Sequence, residues 1–285
     1  MRESLRILGP DDGPALARFF SRHPYTTLFL QSNLLEAGLV DEGRRHHGTW
    51  AAAFAGDEIE AVATHFWNGN LIVECPRRLE ETARLAVERS KRAVRGILGP
   101  HAQGVATRRA LGMVERVASL DAHEDLFALP LARLRVPPAL AEGRVRCRAP
   151  REEELPLLTQ WRVEYSIEIL GARENPELRA SSGGDIKSLQ RLERQWLLEW
   201  EGRPVAYSAF NAQTPDCVQV GGVYTPPALR ARGYARAVVA GTLLAARAQG
   251  VRDAVLFTGR ANRPAQAVYR SLGFEPIGDW GLTLF

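Results

Sequence analysis

Two stretches of the chain repeat one order of hydrophobic and polar positions. Residues 50–113 and 196–274 each begin at a tryptophan that a glycine follows six residues later, at Gly56 and at Gly202. Both continue as two strands joined by a short turn, a third strand, a long amphipathic helix, a short apolar strand and a closing helix. We therefore predict a duplicated α/β unit.

Each copy closes on the same helix-ending sequence. The first copy ends in Leu111-Gly112-Met113 and the second in Leu272-Gly273-Phe274. Glycine takes the left-handed conformation after a helix, and the next apolar residue packs back on the last turn. The shared ending supports the prediction of a repeat.

The segment between the copies contains Pro137-Pro138 and then turns polar. Because such sequences interrupt regular structure, we predict a junction there, between an N-terminal domain of residues 1–136 and a second domain of residues 144–285. In the second domain the pattern predicts helices over about 151–170 and 184–194. We expect the segment between them to be a loop, of the kind that often covers a binding site.

Composition and charge argue against several classes of protein. The chain has 285 residues and a net charge of +4 without a basic run, so it can bury two cores and no nucleic-acid partner is expected. Met1–Phe20 contains polar residues where a secretory core would be apolar, and Ala237–Ala246 is too short to span a bilayer. We expect a cytoplasmic protein without a membrane partner. The cysteines form no CxxC pair, which argues against a disulfide framework and a zinc site: Cys75, Cys147 and Cys217.

Residues 221–235 carry the candidate chemistry. The stretch runs from a strand through Pro226-Pro227 into a helix. Gly233 and the small Ala235 let backbone N–H groups at the helix start approach a ligand closely, and the helix dipole favours a pyrophosphate there. A solvated, arginine-rich turn that leads into an ordinary helix would have a similar sequence. Three arginines add positive charge: Arg230, Arg232 and Arg236.

The sequence after this stretch supports the binding interpretation. Ala254–Phe257 is a continuous apolar run, as expected of a buried parallel strand. Asn262 is a good helix cap and Pro264 is tolerated in a first helical turn, so a helix begins here and carries Tyr269 before it closes.

This ordered set resembles the GNAT superfamily of N-acetyltransferases. The family signature R/Q-x-x-G-x-G/A is matched by Arg230, Gly233 and Ala235, and the later Asn, Tyr and Gly-Phe are matched by residues 262, 269 and 273–274. The motif-bearing part of the resemblance covers residues 218–274. It implies two GNAT-like domains of the α/β class (α+β type), each with a mixed, mainly antiparallel twisted sheet flanked by helices.

The resemblance also implies acetyl-CoA as cosubstrate and assigns residues to it. Asn262 would bond the cofactor arm, and Tyr269 would lie near the sulfur as the general acid. The pantetheine arm and the acetyl carbonyl would be held by backbone groups of Val223, Tyr224 and Thr225. The pyrophosphate would be held by amides of Arg230, Ala231, Arg232, Gly233, Tyr234 and Ala235.

The implied reaction is direct attack of a primary amine on the thioester, with neither a covalent enzyme intermediate nor a metal. The acceptor would be a small-molecule or protein amine, and the chain a monomer or homodimer. The general base stays open: Glu164 and Glu168 share a helix face at i, i+4 spacing, as an ordinary solvated glutamate stripe would. Glu199 and Glu201 on a strand are further candidates.

The N-terminal copy lacks the site. It has no glycine before its long helix, and Arg108 occupies the position that corresponds to Tyr269. The chain thus resembles tandem GNAT proteins with one degenerate half, which would shape or cover the acceptor pocket. Two other functions stay open: a CoA-sensing module without turnover, and aminoacyl transfer of the Fem type, against which the intact pyrophosphate loop argues.

Overall fold

The computed structural model describes residues 3–285. Its strands are β1 (Glu3–Ile7), β2 (Gly48–Ala55), β3 (Glu58–Phe66), β4 (Asn70–Glu74), β5 (Gly96–Gly99), β6 (Leu120–Pro130), β7 (Arg146–Arg148), β8 (Gln195–Trp200), β9 (Arg203–Gln213), β10 (Cys217–Tyr224), β11 (Asp253–Gly259) and β12 (Glu275–Leu284). Its helices are α1 (Gly13–Arg22), α2 (Leu28–Ala37), α3 (Leu79–Ser90), α4 (His101–Ala110), α5 (Pro138–Ala141), α6 (Leu155–Leu170), α7 (Pro176–Arg191), α8 (Tyr234–Ala248) and α9 (Arg263–Leu272).

The chain divides into two compact units. The N-terminal unit contains the residues up to Leu126 together with Ile277–Phe285, and the C-terminal unit is Phe127–Pro276. The last strand of the chain therefore belongs to the N-terminal unit. The domain limits predicted from sequence, 1–136 and 144–285, are continuous ranges of the chain, and they stay a prediction.

The N-terminal unit is built on a sheet in the order β1-β2-β3-β4-β5-β12. The strand pairs are antiparallel except β4 with β5, which run parallel. Helix α3 packs on β2 and β3, and alanines fill the contact because they let the helix approach the sheet closely.

The C-terminal unit repeats this plan. Its sheet has the order β11-β10-β9-β8-β7, antiparallel except for the parallel pair β10 and β11. In both units the parallel pair is linked by the long helix, α3 or α8. The predicted fold class, a mixed and mainly antiparallel sheet flanked by helices, is confirmed for each unit.

Both faces of the C-terminal sheet are covered, since alternate side chains of a strand point to opposite faces. On β8, Trp196 and Leu198 pack in the cluster that contains α8, whereas Leu197 packs in the cluster that contains α6. On β9, Phe210 packs in the cluster that contains α8, and Tyr207 packs in the cluster that contains α6. Helix α8 thus lies on one face and α6 on the other.

The prediction for the segment before β8 was wrong in one respect. Helix α7 begins at Pro176, not near residue 184, so most of the expected loop is helical. Asn175 caps the helix, because its side chain accepts a hydrogen bond of 2.7 Å from the N–H of Leu178, and Pro176 is its first residue. Asn and Pro are common in turns, but here the Asn-Pro pair starts a helix.

Candidate active site

The strands β10 and β11 separate at their carboxyl ends. Their pairing runs from Cys217 with Asp253 to Gln219 with Val255. Strand β10 continues to Tyr224 and β11 to Gly259, so in the described chain both strands extend beyond the paired part. In open α/β sheets, ligands bind beyond the carboxyl ends of parallel strands. The separation leaves unpaired backbone groups of both strands available to a ligand.

A bulge in β10 turns the end of this strand over. Gly221 lies opposite Ala209 and Tyr224 lies opposite Tyr207, so β10 has one residue more than β9 in this interval. Gly222 has a φ of +61°, a conformation that favours glycine. Val220 packs on the α8 face, but Tyr224, four residues later, packs with α6. The bulge therefore brings the Tyr224 side chain to the α6 face.

The turn after β10 leads into the start of α8 as the sequence predicted. Ala231 and Gly233 both have positive φ, +62° and +80°, and Gly233 is the N-cap of α8. The first four N–H groups of a helix have no partner within the helix, and they carry its positive dipole end. A Cβ at Gly233 would meet no atom within 4 Å, so the space beside these amides is open.

Two buried polar atoms beside this turn lack hydrogen-bond partners in the described part of the chain. They are Thr225 Oγ1, directly after β10, and Arg236 Nε in the first turn of α8. Buried polar atoms are almost always satisfied, so these two fit a site that binds a polar ligand. The residues present therefore suit the phosphate and amide groups of an acyl-CoA.

Arg230 is already occupied within the protein. Its Nη1 and Nη2 donate to the two oxygens of Glu168 at 2.7 and 2.6 Å, and its Nε donates to the carbonyl of Thr225 at 2.9 Å. The guanidinium of Arg230 holds the pKa of Glu168 below its usual range. The charge of Arg230 is thus matched by Glu168, and Arg232 and Arg236 are left to give the turn its positive charge.

Glu164, one helical turn before Glu168, contacts the other side of the same turn. Tyr224 Oη donates to Glu164 Oε2 at 2.8 Å, and Gln160 Nε2 donates to Glu164 Oε1 at 3.0 Å. Burial, and then the hydrogen bond to the Glu164 carboxylate, raises the pKa of Tyr224 to about 12. Tyr224 is therefore a neutral hydrogen-bond donor at physiological pH.

Asn262 and Tyr269 lie on α9, after β11. The side chain of Asn262 accepts a hydrogen bond of 3.2 Å from the N–H of Ala265 and so caps the helix. The half-buried ring of Tyr269 packs edge-on to Phe274 at 6.0 Å between centroids, and the N–H of Phe274 donates to the carbonyl of Tyr269. Both residues thus have structural contacts besides the roles that the resemblance implies.

The remaining general-base candidates stand apart from this arrangement. Glu199 is bound by Arg148, which it shares with Glu154, at the edge of the sheet. Glu201 has a positive φ of +48° in the β8–β9 turn. Residues 3–285 contain no cluster of three His, Cys, Asp or Glu side chains that could hold a metal ion.

The N-terminal unit differs where the C-terminal unit has its open turn. The N–H of Cys75, directly after β4, donates to the side chain of Gln103, whose amide donates to Glu74. Arg108 donates to the carbonyls of Met113 and Val114 and to the carboxylate of Asp121, so it is part of the structure of α4. The backbone N–H that follows the parallel strand is here bonded within the chain, whereas Glu74 Oε2 at the strand end lacks a hydrogen-bond partner in the described residues.

Sequence comparison assigns the class of the C-terminal unit. Residues 156–274 match the model of the acetyltransferase (GNAT) family, so the chain contains a GNAT-family acetyltransferase domain. No curated protein matches the chain in sequence. Family and fold together support acetyl transfer in general.

Solved structures share the fold over the full length of the chain. A Drosophila protein has a TM-score of 0.70 at 14% identity, covering 100% of this chain and 99% of its own. A tandem GNAT protein from the clavulanic acid biosynthesis pathway has a TM-score of 0.56 at 13% identity, covering 99% and 98%. A GCN5-related N-acetyltransferase from Sphaerobacter thermophilus has a TM-score of 0.57 at 17% identity, covering 99% and 94%. The chain thus has the fold of tandem GNAT proteins. In residues 3–285, every helix is too short or too polar to cross a membrane.

Proposed function

We propose that the C-terminal domain, residues 144–285, transfers an acetyl group from acetyl-CoA to a primary amine. The observation that carries the proposal is the open helix start at Gly233 beside the separated ends of β10 and β11, with the unsatisfied Thr225 Oγ1 between them.

The residues would divide the binding of acetyl-CoA among them. The amides of residues 230–235 would hold the pyrophosphate at the positive end of α8. Backbone groups of Val223, Tyr224 and Thr225 would hold the pantetheine arm and the carbonyl oxygen, and Asn262 would bond the arm. Acetyl-CoA supplies the activated acetyl thioester.

The chain's own contribution to the chemistry is orientation and proton transfer. Backbone N–H groups at the end of β10 would stabilise the negative charge that develops on the carbonyl oxygen. Tyr269 is the proposed general acid, which gives its phenol proton to the departing sulfur. Because both reactants are held in one cleft, orientation supplies much of the remaining acceleration.

The experiment is amine-dependent release of free thiol from acetyl-CoA across a panel of small-molecule and peptide amines, with Tyr269→Phe beside the wild type. We expect turnover on one class of acceptor, and a kcat roughly 10²-fold lower in Tyr269→Phe, since a general acid contributes at least that much. The ring and its packing on Phe274 are kept, so the melting temperature should hold.

Two results would contradict the proposal. If acetyl-CoA binds but no amine releases thiol, the domain is a CoA-sensing module. If acetyl-CoA fails to bind and aminoacyl-tRNA binds instead, the function is of the Fem type. An unchanged kcat in Tyr269→Phe would remove only the assignment of the general acid.

A further inference from the structure

Four side chains form a cluster where β10 leaves the sheet: Glu164 and Glu168 from α6, Tyr224 from β10 and Arg230 from the following turn. Glu164 accepts from Tyr224, and Glu168 accepts from both terminal nitrogens of Arg230. The Arg230 guanidinium carbon also lies 5.9 Å from the centre of the Tyr224 ring. The two glutamates that the sequence left as equal candidates therefore have different surroundings.

The charges of the cluster do not cancel. Glu168 is neutralised by Arg230, but both donors to Glu164, Gln160 and Tyr224, are neutral groups. No cation of the described chain lies within ion-pair distance of Glu164. Arg162 also lies at the end of β10, beside Gly222, but its guanidinium is within 3.7 Å of Asp185. Glu164 thus keeps a negative charge without an ion-pair partner, which would attract a positively charged ligand.

The bulge at Gly222 explains why this charge lies beside the proposed reaction centre. It turns Tyr224 to the α6 face, so the side chain of Tyr224 meets Glu164 while its backbone stays at the end of the separated strand. That backbone is proposed to hold the acetyl carbonyl. A group that approaches the carbonyl from the α6 side meets the Tyr224 hydroxyl and the Glu164 carboxylate.

We propose that Glu164 and Tyr224 bind the ammonium group of the acceptor and that Glu164 takes its proton. The acceptor class is then an aliphatic primary amine, which is protonated at neutral pH. This inference rests on the proposed acetyl transfer and adds to it the base and the class of acceptor.

Each proton of the reaction has a donor and an acceptor. An aliphatic ammonium must lose one proton before its nitrogen can form a bond to the carbonyl carbon, and Glu164 receives this proton and passes it to water. As the C–N bond forms, the C–S bond breaks and the sulfur takes a proton from Tyr269. The new amide nitrogen releases a second proton, which replaces the one that Tyr269 gave. One proton is released overall.

The other charged groups near Glu164 are paired with different partners. Glu168 on α6 is held by Arg230 from the turn after β10. From α7, Arg179 donates to Gln160 and to Glu174, and Asp185 lies 3.7 Å from Arg162 of α6. Tyr224 from β10 stays protonated, because burial and the Glu164 carboxylate raise its pKa. Glu164 is therefore the carboxylate of this cluster that has no cation paired with it in the described chain and lies beside the proposed reaction centre.

The test compares Glu164→Gln with the wild type on two acceptors, 1,4-diaminobutane, which is cationic at pH 7, and aniline, which is neutral. For the diamine we expect kcat/KM to fall roughly 100-fold at pH 7, as for loss of a general base, and to recover as the pH rises and the free amine accumulates. For aniline we expect a change below about 3-fold, because no ammonium has to be bound or deprotonated.

Three controls separate this role from a structural one. Glu193→Gln removes an exposed carboxylate of the same unit and should leave both reactions unchanged. Glu164→Asp should restore part of the diamine activity. The dissociation constant of acetyl-CoA, measured by calorimetry, should be the same in Glu164→Gln as in the wild type, since the amides of residues 230–235 are untouched.

An equal loss on both acceptors, or no loss on either, would overturn the inference while acetyl transfer stands. A wild type that acetylates aniline but not the diamine would do the same. A wild type that binds acetyl-CoA and acetylates neither of these acceptors nor any amine of the panel would overturn the proposed function together with the inference.

Discussion

Asn262 of the candidate site has one side-chain group in contact with the fold and a second group that the proposal assigns to the cofactor. Asn262 uses its side-chain oxygen to cap α9, and the remaining amide NH₂ is the group proposed to bond the cofactor arm. The two roles can be separated because aspartate caps a helix as well as asparagine does but has no NH₂ donor.

Asn262→Asp is therefore expected to keep the melting temperature and to weaken acetyl-CoA binding several-fold. Asn262→Ala should lose both, with a decrease of about 1 kcal/mol in the free energy of unfolding from loss of the cap. Thermal melts and calorimetric titration with acetyl-CoA measure the two effects. If Asn262→Asp binds acetyl-CoA as the wild type does, Asn262 is a helix cap and nothing more.

Residue-level roles could be predicted from sequence only where the motif is local. The glycine-containing turn and the helix start after it lie within residues 230–235, and the structure has both as expected. The contact between Glu164 and Tyr224 could not be predicted, because it joins residues 60 apart and depends on the bulge at Gly222. The i, i+4 spacing places Glu164 and Glu168 on one helix face but does not determine which of them Arg230 neutralises.

At the scale of elements, the local sequence predicts most helices and strands correctly and is wrong in one segment. The repeat of strands and helices was predicted from the order of apolar and polar positions, and the glycines that close α4 and α9 have the expected positive φ. Asn175-Pro176 was interpreted as a loop because both residues are common in turns. The same pair starts helix α7, since it is followed by residues that can form a helix.

Asp41, in the connection between α2 and β2, holds this segment to the neighbouring elements. Asp41 accepts hydrogen bonds of 2.7 Å from both terminal nitrogens of Arg92 and one of 2.6 Å from Thr49. Burial by itself would raise the pKa of Asp41, but the hydrogen bonds from Arg92 and Thr49 outweigh it and lower the pKa to about 2. The charged form is thus stabilised by the fold.

This pKa predicts an acid-sensitive contribution to stability. Because the pKa of Asp41 is lower in the folded than in the unfolded state, the contribution is fully present above about pH 4 and is lost as the pH falls towards 2. Asp41→Asn should lower the free energy of unfolding by about 2 kcal/mol at pH 7 and by progressively less below pH 4. Urea titrations at pH 7, 4 and 2.5 measure this.

The matched control is Asp57→Asn, which removes an exposed carboxylate in the β2–β3 turn and should have little effect at any of these pH values. A difference between wild type and Asp41→Asn that stays constant from pH 7 to 2.5 would mean that the Asp41 charge does not stabilise the fold.

At the scale of the molecule, the two units share one plan, but the long helix is preceded by Gly233 in the C-terminal unit and by Arg78 in the N-terminal unit. The N–H of Cys75 after β4 is bonded to Gln103, and Arg108, at the position that corresponds to Tyr269, donates to the carbonyl of Met113. The sequence predicted this difference from the missing glycine and the missing tyrosine. It could not predict that the last strand of the chain, β12, pairs with β5 of the N-terminal unit, because such pairing depends on contacts distant in sequence.

The most direct test of the account is calorimetric titration of acetyl-CoA into the wild type, Gly233→Glu and Gly250→Glu. Gly250 is a matched control, because it also has positive φ and open space around a Cβ, at the other end of α8. Both substitutions cost about 1 kcal/mol of backbone strain and add one negative charge, but only the one at residue 233 places it at the proposed pyrophosphate position.

We predict one acetyl-CoA bound per chain in the wild type, an affinity within about 2-fold of wild type in Gly250→Glu, and at least about 100-fold weaker binding in Gly233→Glu, as expected for an anion at a phosphate site. Circular dichroism establishes that all three proteins are folded. Wild-type affinity in a folded Gly233→Glu, or two acetyl-CoA molecules per chain, would contradict the assignment of a single cofactor site at the start of α8.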